Sequence, residues 1–302
     1  MDLDLEIEDF NDTVLFDNIT ETQDSGTAGQ TSFIIYLIFS IVGLIENALV
    51  LFVILWYRQM RTTFNIYVFN VALGDTLNMI CLGFFAMEIA HTRWLFGTNF
   101  CKVFWVVSNA VTFTSIYFLT AMSISNCIQV YFPVYSSKRH GPKAAIGISI
   151  CIWLLCLLLG IPHFMYSGLD DSEDCRIIWP EPFAIWSFTF AVFQFVVALA
   201  TPLLINSICF ILTALSLKND SYQGVGKDSI VLLVLLTLVF VIFWLPLLVL
   251  EIMSSVSDLI VSPITYYIIG LLPYLKCCIY PIIYVLRCPS FKEIFKNIFC
   301  CR

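Results

Sequence analysis

Seven long apolar runs constrain the fold of this chain more than any other feature of its sequence. Each run is long enough for a helix to cross the hydrocarbon layer of a bilayer, about 30 Å, which takes about 20 residues. Several prolines lie in or near the runs, and membrane helices tolerate them because neighbouring helices and waters satisfy the freed carbonyls. The sequence therefore predicts an all-α membrane protein, a bundle of seven transmembrane helices. The predicted spans are Ser32–Trp56, Phe64–Ala90, Phe100–Phe132, Ala144–Tyr166, Phe183–Leu217, Ile230–Ser255 and Ser262–Leu286.

The composition agrees with a chain that is surrounded mostly by lipid. Apolar residues make up 60% of the 302 positions and charged residues only 12%, whereas a soluble domain is about 45–50% apolar and about 25% charged. So few charges cannot cover a water-exposed surface, which excludes a cytosolic enzyme and a disordered regulator. Acidic residues outnumber basic ones, 22 against 15, so the chain also lacks the basic surface that nucleic-acid binding requires.

No pattern of reactive side chains in the sequence indicates catalysis. The three histidines, His91, His140 and His163, are scattered, and no Cys/His spacing is typical of a metal site. No nucleophile stands in a recognisable pattern with a base. We therefore expect no enzyme activity, no cofactor and no metal. A transporter or channel is a distant alternative, because it predicts internal repeats and polar, interrupted helices near the midplane, and the sequence has neither.

The distribution of charge predicts the orientation of the chain. Residues 1–30 hold nine acids and no base, which predicts a disordered extracellular tail, followed by the bundle (31–288) and by an interface helix with a short cytoplasmic tail (289–302). Basic residues mark cytoplasmic loops, so we expect a multi-pass plasma-membrane protein with its amino terminus outside. The inner set is Arg58, Arg61, Lys138, Arg139, Lys143, Lys218, Lys227, Arg287, Lys292, Lys296 and Arg302. The outer set is Arg93, Lys102 and Arg176.

This topology predicts several covalent modifications outside the helices. Two sequons, at Asn11 and Asn18, fall in the outer tail and are predicted to be glycosylated. Of the twelve cysteines only Cys101 and Cys175 lie on the outer side, where oxidising conditions favour a disulfide between them. An amphipathic segment near the carboxyl terminus is predicted to lie in the inner membrane interface. The cysteines that follow it are predicted palmitoylation sites, Cys300 and Cys301.

The runs resemble the class A, rhodopsin-like G-protein-coupled receptors over nearly the whole chain. Each run carries a residue that this family has at the corresponding place, in the same order and at the same spacing. These residues are Asn47, Asp75, Cys101, Trp153, Pro202, Trp244 with Pro246, and Pro281 with Tyr284. Three loop segments, Met60–Asn65, Trp94–Lys102 and Phe132–Ser136, resemble the chemoattractant branch, which includes the formyl-peptide, chemerin, anaphylatoxin and prostaglandin D2 type 2 receptors.

The resemblance implies a ligand pocket that opens outward between the third, fifth, sixth and seventh helices. Its expected lining residues are Ser108, Asn109, Thr112, Gln194, Trp244, Glu251 and Gly270. Ser108 and Asn109 are neutral where amine receptors carry an aspartate, which disfavours a biogenic amine. The acidic outer tail and loops favour a basic peptide or protein as the ligand. The alternative is that the acidic tail only keeps the chain soluble.

Lys276 is a charged residue in the middle of the seventh run, and such a residue is costly unless it finds an acid. The family has a small polar residue there, beside a sodium site centred on the position of Asp75, with a hydroxyl like that of Ser115 as co-ligand. We expect Lys276 to pair with Asp75 in the place of the sodium ion, with Glu46 as a second candidate partner. The alternative is a neutral lysine among apolar neighbours with no role.

The departures from the family's motifs lie at the cytoplasmic end. Ser125-Asn126-Cys127 replaces the family's Asp-Arg-Tyr, and Tyr280 replaces the asparagine of Asn-Pro-x-x-Tyr. The residues expected to face a heterotrimeric G protein are Ser125, Asn126, Cys127 and Tyr284. The missing arginine and acid predict a receptor with atypical or ligand-independent signalling. The alternative is a decoy or scavenger receptor that captures a peptide or protein ligand and does not signal.

Overall fold

A computed structural model describes the chain as a set of long helices with one small β-hairpin. The described residues are 3–139, 141–218, 227–256 and 262–299, with side chains described for 29–136, 141–216, 228–256, 262, 264–288 and 290–295. In chain order the elements are α1 Leu3–Trp56, a 3-10 turn Arg58–Met60, α2 Thr63–His91, α3 Gly97–Tyr131, α4 Pro133–Arg139, α5 Pro142–Leu159, α6 Ile161–Tyr166, β1 Ser167–Leu169, β2 Cys175–Ile177, α7 Phe183–Gln194, a π-helical segment Phe195–Ala200, α8 Thr201–Lys218, α9 Lys227–Val256, α10 Pro263–Arg287 and α11 Pro289–Phe299.

Seven stretches within the described residues are long and apolar enough to cross a membrane, which confirms the predicted bundle. Their ends lie within three residues of the predicted ones. We number them spans 1 to 7; span 4 comprises α5 and α6, and span 5 comprises α7, the π-helical segment and α8. The spans are Gly29–Trp56, Thr63–His91, Gly97–Tyr131, Pro142–Tyr166, Phe183–Ser216, Asp228–Val256 and Ile264–Arg287.

The amino-terminal segment differs from the prediction of a disordered tail over 1–30. Helix α1 begins at Leu3 and continues without interruption into span 1. Span 1 supports this extension, because lengthening an existing helix adds one hydrogen bond per residue and avoids the cost of nucleating a new helix. The glycosylation of Asn11 and Asn18, which lie in this part of α1, stays a prediction. The predicted palmitoylation sites Cys300 and Cys301 lie outside the described residues.

Local sequence signals account for several helix ends and for the irregularity in span 5. The hydroxyl of Thr62 accepts a hydrogen bond from the backbone N–H of Asn65 at 3.2 Å, and so caps the start of α2. Pro142 stands in the first turn of α5, where its missing N–H costs nothing. Pro202 cannot donate to the carbonyl four residues before it. That carbonyl belongs to Ala198, which lies in the π-helical segment.

Span 3 lies at the centre of the bundle, where it contacts spans 2, 4, 5 and 6. Polar side chains connect the helices around it, because buried polar groups in lipid need partners within the protein. Trp153 Nε1 of span 4 donates to Asn70 Oδ1 of span 2 at 2.9 Å. Asn47 Nδ2 of span 1 donates to the carbonyl of Cys277 in span 7 at 2.9 Å. Tyr280 of span 7 donates to the carbonyl of a span 6 residue, Leu236, at 2.9 Å.

The β-hairpin lies over the end of the bundle where span 3 begins. Strands β1 and β2 pair antiparallel, with Leu169 opposite Cys175. The predicted disulfide between Cys101 and Cys175 is confirmed, and it attaches β2 to the first turns of span 3. Glu88, near the end of span 2, accepts a hydrogen bond from the backbone N–H of Cys175 at 2.7 Å. The hairpin is therefore fixed to spans 2 and 3 at the same residue.

Replacing Cys175 by alanine releases the hairpin from span 3. We expect the free energy of unfolding to fall by about 2–5 kcal/mol, with loss of correctly folded protein at the cell surface. Thermal unfolding of the purified protein and surface labelling measure the two effects. Cys151→Ala, which removes an exposed free cysteine of span 4, is the matched control and should change neither. Normal surface delivery and an unchanged unfolding temperature for Cys175→Ala would contradict the prediction.

Candidate functional site

Two cavities lie beneath the hairpin. The larger, of about 690 Å³, is lined by spans 2, 3, 6 and 7 and by β2. The smaller, of about 230 Å³, is lined mainly by spans 3, 4, 5 and 6. All of the pocket residues that the sequence predicted line at least one of them: Ser108, Thr112, Trp244 and Glu251 line both, Gly270 lines the larger, and Asn109 and Gln194 line the smaller. The structure thus brings the predicted ligand-binding residues together.

The hairpin brings additional charge to the larger cavity. Arg176 of β2 lies 3.0 Å from Asp170 Oδ2 and 2.8 Å from Asp174 Oδ2. The hydrogen bond with Asp174 raises the pKa of the Arg176 guanidinium above its usual value. Glu88, Asp174 and Arg176 all line the larger cavity. The predicted pocket contained none of these three residues, because their contact depends on how the loop folds over the bundle.

Aromatic rings form one wall of the smaller cavity, which the sequence did not predict either. His163 of span 4 packs edge-on against Phe190 of span 5, with ring centroids 4.8 Å apart. It also stacks on Trp105 of span 3 at 6.1 Å. Trp179, in the loop before span 5, lies 4.9 Å from Phe190. These rings come from four separate segments, so no local spacing in the sequence indicates that they meet.

A buried ion pair lies deeper in the bundle, where spans 2, 3 and 7 meet. Lys276 Nζ is 2.6 Å from Asp75 Oδ1 and donates a second hydrogen bond to Ser115 Oγ at 2.9 Å. The side chains of Lys276 and Asp75 are only 2% and 1% exposed. Nζ also lies 3.6 Å from Cys277 Sγ and 5.2 Å from the centre of the Tyr280 ring. The lysine therefore has an acid, a hydroxyl and an aromatic face around its ammonium group.

The 2.6 Å contact with Asp75 fits a charge-assisted hydrogen bond and does not fit the alternative of a lysine that lies only among apolar side chains. The same contacts do not fit a sodium ion at Asp75. The ammonium group already occupies the space beside Asp75 Oδ1 and Ser115 Oγ. A second cation there would be repelled at a separation of a few ångströms. In the described structure the cation beside Asp75 is the ammonium group of Lys276.

Glu46, the second predicted partner of Lys276, does not join this group. Its neighbour Asn47 faces span 7, where it bonds to the carbonyl of Cys277. One residue along a helix turns the side chain by about 100°, so Glu46 leaves span 1 at a different angle from Asn47, and it forms no ion pair with Lys276 among the described residues. Its Oε2 atom is buried and has no hydrogen-bond partner among the described residues. The described contacts therefore pair Lys276 with Asp75, the first predicted partner, and not with Glu46.

The motif residues at the predicted cytoplasmic end are mostly buried. Ser125 and Asn126 are each 8% exposed and Tyr284 is fully buried, whereas Cys127 is partly exposed. Asn126 Nδ2 and the Tyr284 hydroxyl have no hydrogen-bond partner within the described part of the chain. The Tyr284 ring stacks on Phe291 of α11 at 6.3 Å. Two buried polar groups at this end of the bundle thus remain available for new hydrogen bonds.

The seven-span bundle corresponds to one protein family. The family model described as 7 transmembrane receptor (rhodopsin family) matches residues 46–284. The chain belongs to the rhodopsin family of seven-transmembrane receptors. It is 32% identical over 299 residues to the mouse somatostatin receptor type 2, covering 94% of this chain and 80% of the relative. It is 29% identical over 280 residues to the bovine somatostatin receptor type 5, covering 89% and 76%.

These relatives correct the predicted branch of the family. The two relatives named above, which match most of this chain, are somatostatin receptors rather than members of the chemoattractant branch. The prediction relied on short loop segments such as Met60–Asn65, and loops vary more freely than the helices that they connect. The coarser predictions stand, since membership of this family makes the chain a multi-pass membrane receptor and not an enzyme.

Removing the lysine of the ion pair should destabilise the receptor strongly. Lys276→Ala leaves Asp75 buried without a counter-ion, which costs about 3–5 kcal/mol. The same substitution should cost clearly less when Asp75→Asn is already present, because no unpaired charge then remains. Unfolding of the four purified proteins measures the coupling between the two positions. Equal losses in both backgrounds would show that the two charges do not depend on each other.

Proposed function

We propose that this receptor lies in the plasma membrane with its amino terminus outside and binds a basic peptide in the cavities under the hairpin. The observation that carries the proposal is the larger cavity, about 690 Å³ in volume and lined by three acids, Glu88, Asp174 and Glu251. The somatostatin receptors among its relatives support a peptide as the ligand.

The charge of the outer segments supports a basic ligand. The amino-terminal segment carries nine acids and no base, and the hairpin with the loop after it adds more acids. Those acids are Asp170, Asp171, Glu173, Asp174 and Glu181. A field of one sign attracts ligands of the opposite sign and raises their association rate, most strongly at low salt. Neutral Ser108 and Asn109 on span 3 argue against a small biogenic amine.

We further propose that the receptor couples to a heterotrimeric G protein in an atypical or ligand-independent manner. Asn126 occupies the place of the family's arginine and carries no charge, and Ser125 replaces the neighbouring acid. The ion pair that holds the inactive family members is therefore absent together with the charge that contacts the G protein. The neutral motif also favours the second candidate function, a decoy receptor that binds its ligand and does not signal.

Restoring the family motif distinguishes the two functions. The double variant Ser125→Asp, Asn126→Arg should change the basal level of G-protein activation, because it supplies both the contact charge and the acid that restrains it. The measurement is G-protein activation in transfected cells, normalised to the amount of receptor at the surface. An unchanged signal in every G-protein class would favour the decoy function.

The tethered ammonium group predicts how this receptor responds to salt. Lys276 Nζ holds the position beside Asp75, so sodium should have no specific effect on ligand affinity or signalling, compared with potassium or choline. Lys276→Asn removes the charge, keeps a polar side chain and should create a sodium-specific effect. Ligand-binding or signalling assays in matched salts test this. Sodium-specific modulation of the wild-type receptor would contradict the proposed role of the lysine.

A further inference from the structure

Glu251 lies on span 6 where the two outer cavities adjoin, and it lines both of them. Its backbone carbonyl accepts hydrogen bonds from the hydroxyls of Ser254 at 3.0 Å and Ser255 at 2.7 Å. Within the described residues its carboxylate has neither a hydrogen bond nor an ion pair. A partly buried carboxylate without a partner is unfavourable, because burial removes water without supplying a compensating charge.

The other acids of the larger cavity already have partners. Glu88 accepts the backbone N–H of Cys175 at 2.7 Å and so holds the hairpin. Asp174 lies 2.8 Å from the guanidinium of Arg176, so its carboxylate is already paired within the hairpin. Among these three acids, only Glu251 has a carboxylate that is not already engaged by the protein.

The smaller cavity gives independent support for a polar ligand group at this depth. His163 is 2% exposed, and its Nδ1 atom has no hydrogen-bond partner within the described chain. Asn109 Oδ1 is likewise buried without one. Buried polar atoms are almost always paired with protein, ordered water or a bound molecule, so a ligand in the smaller cavity could supply the hydrogen bonds that these two atoms lack within the described chain.

We propose that Glu251 is the counter-ion of the ligand, and that it binds an ammonium or guanidinium group of a basic peptide where the two cavities adjoin. The ionic contact then lies on span 6, while span 3 contributes only the neutral Ser108 and Asn109. This inference rests on the proposed function, since it names the residue that recognises the charge of the proposed ligand. A cation beside Glu251 supplies the opposite charge that a carboxylate removed from water requires.

The test uses two small probes that differ in one group, 4-phenylbutylammonium and the neutral 4-phenylbutanol. The purified full-length receptor is titrated with each, and thermal unfolding gives the apparent dissociation constants. We expect the wild-type receptor to bind the ammonium probe at least about tenfold more tightly than the alcohol, which corresponds to about 1.4 kcal/mol. Glu251→Gln should abolish this preference and leave the affinity for the alcohol unchanged.

Two further variants test whether the preference for the ammonium probe arises at Glu251. Glu173→Gln removes the same charge from an exposed site that lines neither cavity and should keep the preference, which excludes a general effect of net charge. Glu251→Asp keeps the charge but withdraws it by one methylene, so it should weaken ammonium binding several-fold; it replaces the Gln variant if that variant does not fold.

The inference and the proposed function fail in different ways. Absence of any ammonium preference in the wild type overturns the inference, and so does a preference that survives Glu251→Gln or that Glu88→Gln abolishes in its place. Neither result depends on signalling. A receptor that shows the preference through Glu251 but activates no G protein supports the inference while contradicting the coupling function.

Discussion

The ion pair between Lys276 and Asp75 is the contact on which the rest of the bundle depends, because it joins spans 2, 3 and 7 where neither charge reaches water. Nζ lies 2.6 Å from the carboxylate and 2.9 Å from the Ser115 hydroxyl. Two charges withdrawn from water are stabilised only by a short contact with further hydrogen bonds. The ion pair therefore constrains the relative position of the three helices at one level of the bundle. The cavities under the hairpin and the motif Ser125–Cys127 lie on opposite sides of that level.

The two ends of the bundle differ in their chemistry. The end under the hairpin is tied together by the Cys101–Cys175 disulfide and by the hydrogen bond from Cys175 to Glu88, and it encloses space lined by acids. The opposite end is packed, and it holds buried polar atoms of Asn126 and Tyr284 that have no partner among the described residues. A receptor needs these two properties at opposite ends, a preformed cavity for the ligand and a surface whose hydrogen bonds can still change.

Much of the fold could be predicted because the bilayer imposes a simple length requirement on each helix. The spans, the outer cysteine pair and the need of Lys276 for an acid all follow from residue type and position along the chain. The family resemblance favoured Asp75 over Glu46 as the partner of Lys276, but the geometry of the pair depends on which face of each helix meets span 7. Loop segments also misled the assignment of the branch, because short exposed motifs recur among related receptors.

The sequence by itself determined the number of membrane spans, the neutral motif at Ser125–Cys127 and the presence of one lysine that must be neutralised in the membrane. Only the tertiary structure decided how closely that lysine approaches Asp75, that Glu88 holds the hairpin and that the Glu251 carboxylate, between two cavities, has no partner among the described residues. The physical reason is that the interactions behind the two kinds of feature act over different parts of the chain. Transfer into lipid acts on each segment alone, whereas a hydrogen bond or an ion pair forms only when residues far apart in the chain come within about 3 Å.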